Sequence, residues 1–124
     1  MFLAPKFEQA KLIIDNDVYT IYDLELKDGN GKVLCTISET TLKPGKDTRG
    51  HKHDTQGEHY HFTSGDGWMA LGGINNTYDV GPDTHIYVDK GILHRVFNRS
   101  RTIPLKFRTT YFGPSDRPRF KAVG

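Results

Sequence analysis

Along most of the chain, apolar and polar residues alternate with a period close to two, and clusters of turn residues interrupt the alternation. Alternation of this kind is typical of β-strands, because successive side chains of an extended backbone point to opposite faces. Residues 18–26 are rich in β-branched and aromatic side chains, "DGNG" at 28–31 is a strong hairpin turn, and the alternation resumes over 32–42. The pattern therefore predicts a β-hairpin over residues 18–42.

Five more segments of the same kind follow in the second half of the chain. They are residues 58–64, 68–73, 84–91, 94–98 and 103–112. Apolar residues spaced as in a helix appear only at residues 6–13, where they predict one turn of helix. Short strands that recur about every 8 to 12 residues indicate an all-β sandwich or barrel.

Length and charge narrow the alternatives. A chain of 124 residues without a long polar linker predicts one domain over residues 1–124, with an N-terminal segment at 1–17 and a C-terminal tail at 113–124. We expect this tail to wrap the barrel or a neighbouring subunit. Lys and Arg number 17 against 15 Asp and Glu, so the net charge gives no argument for a nucleic-acid or anionic-membrane partner.

Two further features bear on the cellular compartment. No segment approaches the roughly 18 apolar residues of a membrane-spanning helix. The single cysteine, Cys35, has no partner for an internal disulfide, and it lies among strand-like residues where a small buried thiol is expected. We therefore expect a soluble, cytoplasmic protein.

The segment "GHKHDTQGEHYH" at residues 50–61 holds four of the six histidines of the chain. One residue separates His51 from His53, so on an extended backbone both imidazoles leave the same face and can converge on one point. In the alternating run that follows, Glu58 and Tyr60 share a face. These four side chains are therefore candidates for one interior site.

The same alternation separates two other histidines from that site. His59 and His61 alternate with Glu58 and Tyr60, so they must point to the opposite face of the strand. We expect them on the outer surface of the protein or at a subunit contact.

Two imidazoles and a carboxylate suit one divalent transition metal, such as Fe, Mn, Ni, Cu or Zn. His94 is a candidate for a further ligand, because it follows a glycine-containing turn and begins an apolar strand, where a lone histidine otherwise looks out of place. A buried structural histidine is the plainer interpretation of His94 taken alone. Its company with the other three residues favours the ligand.

These residues give the chain a specific resemblance to the cupin family. The first cupin motif is Gly, five residues, His-x-His, three or four residues, Glu, six residues and Gly. The residues that fit it are Gly45, His51, His53, Glu58 and Gly65. The second motif ends in Pro-x-Gly, two residues, His, three residues and Asn, and its matches are Gly91, His94 and Asn98. The resemblance spans roughly residues 33–112.

The resemblance implies a cupin jelly-roll barrel, also called a double-stranded β-helix, with the metal at the mouth of the barrel and usually a homodimer. The metal ligands that it implies are His51, His53, Glu58 and His94. The chain departs from the family where Asp89 replaces the motif proline and Asp83 replaces a glycine. These departures concern turns, so they put the loop geometry in doubt and not the ligands.

A basic run that begins next to His94 bears on the substrate. Arg95 and Arg108 belong to it, and His85 lies on the preceding strand-like segment. An arginine offers a planar fork for carboxylate or phosphate, so we expect these three residues to bind a small anionic substrate at a basic rim. Ordinary solvated strand faces are the plainer interpretation of the same charges.

Cupins carry out many reactions, so the site must decide the function. The pair Glu58 and Tyr60 is similar to the Glu-x-Tyr arrangement of cupin-type phosphoglucose isomerases and of cupin-type lyases acting on dimethylsulfoniopropionate. This resemblance implies Lewis-acid and proton-transfer chemistry with Tyr60 and Glu58 as catalytic residues, in a sugar-phosphate or sugar-acid isomerase or epimerase. The alternatives are a metal-dependent lyase, an Fe(II) dioxygenase, and a non-enzymatic, metal-stabilised sugar-binding module, in which Tyr60 is a core aromatic.

Overall fold

The protein folds almost entirely as β-structure in the computed structural model, which describes residues 1–113. A 3-10 turn at Phe7–Gln9 comes first. The strands of the described residues are β1 (Lys11–Asp15), β2 (Tyr19–Lys27), β3 (Val33–Leu42), β4 (Glu58–Ser64), β5 (Gly67–Leu71), β6 (Thr77–Val80), β7 (His85–Val88), β8 (His94–Asn98) and β9 (Leu105–Phe112). The all-β prediction is confirmed, and the predicted helical turn at 6–13 is the 3-10 turn.

The strands form two antiparallel sheets. One has six strands in the order β1-β2-β3-β9-β4-β7, and the other has three in the order β6-β5-β8. Their inner faces enclose a cluster of buried apolar side chains, which comprises Leu42, Tyr60, Phe62, Met69, Val80, Val88, Val96, Leu105 and Phe107. This is the predicted jelly-roll barrel. No helix of the described residues is long and apolar enough to cross a membrane.

The inner face of the six-stranded sheet changes character along β3, β9 and β4. At one end, Leu42 pairs with Leu105, and both are fully buried. At the other end, Tyr111 of β9 pairs with Thr36 on one side and with Glu58 on the other. The barrel therefore has an apolar end and a polar end, and the polar end contains Glu58 and Tyr111.

Two strands were not anticipated. Strand β1 lies inside the predicted N-terminal segment, and its residues are exposed except for the partly buried Ile14. Strand β6 buries only Val80. Both strands lie at sheet edges, where an apolar face is not required, so neither shows the alternation from which the other strands were predicted. Residues 114–124 of the predicted tail lie outside the described residues.

The loop between β3 and β4 leaves the six-stranded sheet, passes beside the three-stranded sheet and returns. Its residues 46–51 run beside β8: the amide of Thr48 donates to the carbonyl of Val96 at 2.9 Å. His51 and His94 then exchange backbone hydrogen bonds of 2.9 and 2.8 Å. This pairing places the first motif of the sequence next to the second.

Asn98, the last residue of the second motif, fastens three chain segments together. It is 5% exposed, and its side-chain amide donates to the carbonyls of Leu42 and Ile103 at 3.0 and 2.9 Å. Its side-chain oxygen accepts from the amide of Ser100 at 2.9 Å. Asn98 is therefore a structural residue at the end of the barrel far from Glu58.

We expect Asn98→Ala to lower the free energy of unfolding by about 2–4 kcal/mol, because it leaves buried carbonyl groups without donors. Urea unfolding followed by circular dichroism measures this change. The matched control is Asn75→Ala on an exposed turn, for which the expected change is below about 0.5 kcal/mol. Equal stability of the two variants would contradict the structural role of Asn98.

Candidate metal centre

Three of the predicted ligands meet at the polar end of the barrel. His53, Glu58 and His94 are 3%, 1% and 3% exposed, and one ligand atom from each lies within 4.8 Å of those of the other two. The Nε2 atom of His53 is 3.7 Å from Oε1 of Glu58, and Nε2 of His94 is 3.3 Å from Oε2. A buried carboxylate between two imidazole nitrogens is a donor set that fits a divalent transition metal.

Backbone contacts hold each member of this trio. Glu58 begins β4 between β7 and β9, and His94 begins β8. The carbonyl of His53 accepts a 2.7 Å hydrogen bond from the amide of Gly91, so the loops that carry the two histidines are joined. The trio therefore depends on loop pairing across the barrel as well as on the strands.

The orientation of the His94 ring is fixed by a backbone carbonyl. Its Nδ1 lies 2.9 Å from the carbonyl oxygen of Ile92, which can only accept, so Nδ1 carries the hydrogen and Nε2 faces Glu58. Burial lowers the pKa of His94, but the hydrogen bond and the charge of Glu58 outweigh it and raise the pKa overall. Such a fixed imidazole beside a carboxylate is what a metal ligand requires.

His51 lines the same cavity but lies apart from the trio. It is 8% exposed, and the centroid of its ring is 6.4 Å from that of His94. Burial, followed by the charge of His94, lowers the pKa of His51 to about 4. The imidazole is therefore neutral at pH 7, and its place as the fourth ligand stays a prediction.

Tyr60 lies directly beside the carboxylate of the trio. Its hydroxyl donates to Oε1 of Glu58 at 3.2 Å, and the residue is 5% exposed. Burial and the neighbouring charge of Glu58 raise the pKa of Tyr60 well above 10. The same two causes raise the pKa of Tyr111. Both phenols are therefore protonated at neutral pH in the metal-free protein.

A cavity lies in front of these residues. The empty space there is about 370 Å³, and this volume includes some open solvent at the mouth. The side chains around it are Tyr19, Ile21, Thr40, Thr48, His51, His53, Tyr60, His94, Phe107 and Tyr111. The sequence analysis missed Tyr19, Thr40, Thr48 and Tyr111. Hydroxyl residues at every second position of β3, which put Thr36, Ser38 and Thr40 inside the barrel, are the signal that could have indicated a polar wall.

The family model described as "Cupin domain" matches residues 38–111, which is more than half of the chain. The chain belongs to the cupin family. A comparison with curated proteins finds no match. The cupin fold therefore rests on the family match and on the architecture, and solved structures add to both.

Three solved structures illustrate the likeness. Oxalate decarboxylase of Bacillus subtilis, studied for its Mn(II) centres, has a TM-score of 0.71 and 15% identity over 89% of this cupin and 29% of that chain. A Thermotoga maritima protein described as a predicted oxalate decarboxylase has a TM-score of 0.68 and 15% identity over 90% of this cupin and 100% of that chain. The BH2720 protein of Bacillus halodurans has a TM-score of 0.60 and 22% identity over 66% of this cupin and 64% of that chain.

These likenesses show the fold and leave the activity open, because each identity is below 25%. This cupin spans the whole Thermotoga protein but less than a third of the oxalate decarboxylase and less than two thirds of the Bacillus halodurans protein. What this cupin shares with the three structures is the barrel fold. The His and Glu cluster that could hold a metal is described for this chain.

The departures from the cupin motifs are accommodated without moving the ligands. Asp83, at the position of a motif glycine, itself adopts a left-handed backbone with a φ of 64°. Aspartate tolerates this conformation better than most residues. Asp89, at the position of the motif proline, accepts the amide of Lys90 through its side chain at 2.8 Å. The turn that precedes His94 is therefore formed by other means.

The residues predicted to form a basic rim, Arg95, Arg108 and His85, do not lie at the cupin cavity. The guanidinium of Arg95 pairs with Asp47 at 3.0 Å, and that of Arg108 pairs with Glu39 at 2.9 Å. His85 lies on the outer face of the six-stranded sheet, opposite His61. None of the three is among the described residues that line the cavity.

Strand alternation explains why these three residues point away from the cavity. Because His94 points inward, its neighbour Arg95 must point outward, and Arg108 lies between the inward residues Phe107 and Thr109. His85 faces the same way as its cross-strand partner His61, which points outward as predicted. The described lining of the cavity consists of phenols, threonines and imidazoles together with the apolar side chains of Ile21 and Phe107.

We expect His53→Ala, Glu58→Gln and His94→Ala each to lower tightly bound divalent metal well below one ion per chain. Their β-sheet circular dichroism should survive, because the apolar end of the barrel does not involve the ion. Elemental analysis of protein purified without added metal measures this loss. His51→Ala should retain more metal than these variants, since it lies outside the trio. The exposed control Glu25→Gln should match wild type, and full occupancy in the His94 variant would remove that residue from the site.

The low pKa of His51 predicts a dependence of stability on pH. In the unfolded chain this imidazole binds a proton near pH 6.5, whereas in the folded chain it does so only near pH 4. Between these values the unfolded state holds more protons, so stability is lost as the pH falls through that window, by at most about 1.4 kcal/mol per pH unit.

This dependence is measured by urea unfolding of chelator-treated wild type and His51→Gln. The stability difference, wild type minus variant, should be constant above pH 7 and should decline between pH 6.5 and 4.5. A difference that stays constant over the whole range would show that His51 titrates alike in both states.

Proposed function

We propose that this cupin is a metal-dependent enzyme that moves a proton on a small hydroxylated carbonyl substrate, as a sugar-acid isomerase or epimerase does. The observation that carries the proposal is the contact between Tyr60 and Glu58, in which a buried phenol donates to the carboxylate of the candidate metal centre at 3.2 Å. A hydroxyl fixed beside a metal ligand is placed to exchange a proton with a substrate bound at that metal.

The metal itself would be Fe, Mn, Ni or Zn, held by His53, Glu58 and His94 with His51 as the fourth ligand. An ion there would polarise a substrate carbonyl as a Lewis acid and, through its positive charge, lower the pKa of the neighbouring Tyr60 hydroxyl. The donor set supports this group of metals because imidazole nitrogens and one carboxylate are common to their sites.

The ring of Tyr60 is held rigidly by its neighbours. Its centroid is 5.6 Å from that of Phe107 and 6.1 Å from that of Phe62, and His94 meets it edge to face at 5.8 Å. The hydroxyl is therefore fixed by aromatic packing at one end and by Glu58 at the other. In the proposed reaction, the Tyr60 hydroxyl would first lose its proton to solvent, which the charge of a bound cation would favour. The phenolate oxygen would then take the proton from the carbon next to the substrate carbonyl and return it to the product.

The cavity wall supports a small, oxygen-rich substrate. Its lining includes the hydroxyl-bearing residues Tyr19, Thr40, Thr48 and Tyr111 in addition to Tyr60. No lysine or arginine is among the described residues of the lining. The cavity therefore gives no support for a sugar-phosphate substrate, which the basic run had favoured. We prefer a sugar acid or another small hydroxy acid, whose carboxylate the metal and the phenols can bind.

Two of the similar structures favour the same substrate class. Oxalate decarboxylase acts on a small carboxylate, and the Bacillus subtilis enzyme contains Mn(II) centres. By analogy, this supports a small acid as substrate and Mn as one of the metals to test. It also keeps a lyase within the proposal, because a lyase likewise needs a proton donor beside the metal.

The geometry of the trio supports a second candidate function. Two histidines and one carboxylate with open positions are the ligand set of many Fe(II) oxygenases, and the close cluster contains His53, Glu58 and His94 without His51. An oxygenase would consume O₂ and would lose activity when Fe is replaced by Zn.

The test of the proposal is Tyr60→Phe, which keeps the ring and removes the hydroxyl. Turnover should fall by about a hundredfold or more, the usual scale for a positioned acid or base, while metal content and substrate affinity change little. The substrates to screen are small hydroxy acids, keto acids and sugar acids, with Mn, Fe, Ni and Zn in turn. Steady-state rates and metal content are measured on the same samples.

The exposed Tyr78→Phe is the matched control and should keep wild-type turnover. If Tyr60→Phe turns over within a few-fold of wild type at equal metal content, the proton-transfer role is wrong. Activity that needs O₂ would then favour the oxygenase. Binding of a screened compound without turnover by wild type would favour the non-enzymatic binding module.

A further inference from the structure

The six histidines of the chain divide into two groups of three. His51, His53 and His94 line the cavity of the barrel. His59, His61 and His85, which we call the outer triad, lie on the outer face of the six-stranded sheet. Strand β4 separates the groups, so the outer triad takes no part in the candidate metal centre.

Sheet geometry brings the outer triad together. His61 and His85 are directly opposite each other on β4 and β7, and His59 is two residues from His61 on the same face. The rings of His61 and His85 stack at 4.2 Å with an 8° angle between their planes. The Nε2 atom of His59 lies 3.0 Å from Nδ1 of His85, with the two rings tilted by only 14°.

The separation of the two nitrogens matches that of neighbouring ligands on one ion. Two nitrogens bound at about 2.0–2.1 Å lie about 2.8 Å apart at a right angle and about 3.4 Å apart at a tetrahedral angle. The distance of 3.0 Å between His59 and His85 falls inside this range. In the metal-free protein this contact is a hydrogen bond between the two rings. Because both side chains are at least partly exposed, the rings can rotate so that both nitrogens face one ion in place of the shared hydrogen.

The surroundings of the triad also suit a cation. A carboxylate oxygen of Asp83 lies 3.3 Å from Nε2 of His61, and it adds negative charge. Arg108 is the partner of His61 across β9, but its guanidinium pairs with Glu39 at 2.9 Å and stacks on Phe7. The nearest described arginine in the sheet is therefore turned to another partner.

We propose that the outer triad is a second, solvent-accessible binding site for a divalent transition-metal ion that prefers imidazole, such as Cu²⁺, Ni²⁺ or Zn²⁺. His59 and His85 supply the two closest ligands, His61 supplies a third once its ring turns out of its stack on His85, and Asp83 balances the charge. Neutral imidazole suits these ions better than Mg²⁺ or Ca²⁺, which take oxygen ligands. The site is independent of the proposed enzymatic function.

The test is a titration of metal-free protein with Cu²⁺ alone, followed by calorimetry and electron paramagnetic resonance. Wild type should bind two ions per chain, both with nitrogen couplings. His59→Ala and His85→Ala should each lose one ion, or bind it at least tenfold more weakly, and keep the other. In His94→Ala, where the inner centre is damaged, the outer ion should remain with its nitrogen couplings.

The matched control is Thr63→Ala, which alters the same outer face of β4 and should still bind two ions. Circular dichroism checks the fold of each variant, and His85→Gln replaces His85→Ala if the latter unfolds. The proposal is overturned if every ion that wild type binds keeps its affinity in both the His59 and the His85 variants. The inner centre is tested separately: it is contradicted if His94→Ala loses no ion.

Discussion

Glu58 places a carboxylate in the interior of the barrel, and the rest of the site is arranged around that charge. At 1% exposure it has almost no contact with bulk water. An ionised carboxylate in such a place is costly unless it is paired and hydrogen-bonded. His53, His94 and Tyr60 answer this requirement within 3.7 Å. A divalent cation would satisfy the same need more fully than protons can.

The barrel can hold this charge because its interior is not uniformly apolar. Along β3, the inward residues change from Leu42 to Thr40, Ser38 and Thr36. The apolar end stabilises the fold through burial of side chains such as Leu42, while the polar end gives up part of that stabilisation. Because of this division, we expect the barrel to survive changes to the ligands, and the polar end leaves room for a cavity in so small a domain.

Much of the site was readable from the sequence, because its logic is local. The alternation of "EHYHFTS" gave both the bounds of β4 and the inward direction of Glu58 and Tyr60, and the outward direction of His59 and His61. Alternation within one strand depends on backbone geometry alone, so it needs no knowledge of the partner strands. The jelly roll and the approach of His94 followed from the spacing of the family motifs.

The parts that could not be read depend on how strands are paired. The position of Tyr111 beside Glu58 is set by the register of β9 against β4, two strands far apart in sequence. The outward direction of His85 likewise needed the register of β7. Arg95 is a different case: its direction followed from His94, yet adjacency in sequence was given more weight than alternation. A residue next to an inward ligand on a strand faces away from it.

The two loops of the centre are joined by main-chain groups, through the reciprocal bonds of His51 with His94 and the bond from Gly91 to His53. Main-chain bonds of this kind do not depend on which side chains the flanking positions carry. The frame that holds an ion and the surface that meets a ligand are thus encoded separately. Substitutions at a wall position such as Thr40 can alter what is recognised while the ion stays in place, and one scaffold can thereby acquire new chemistry in small steps.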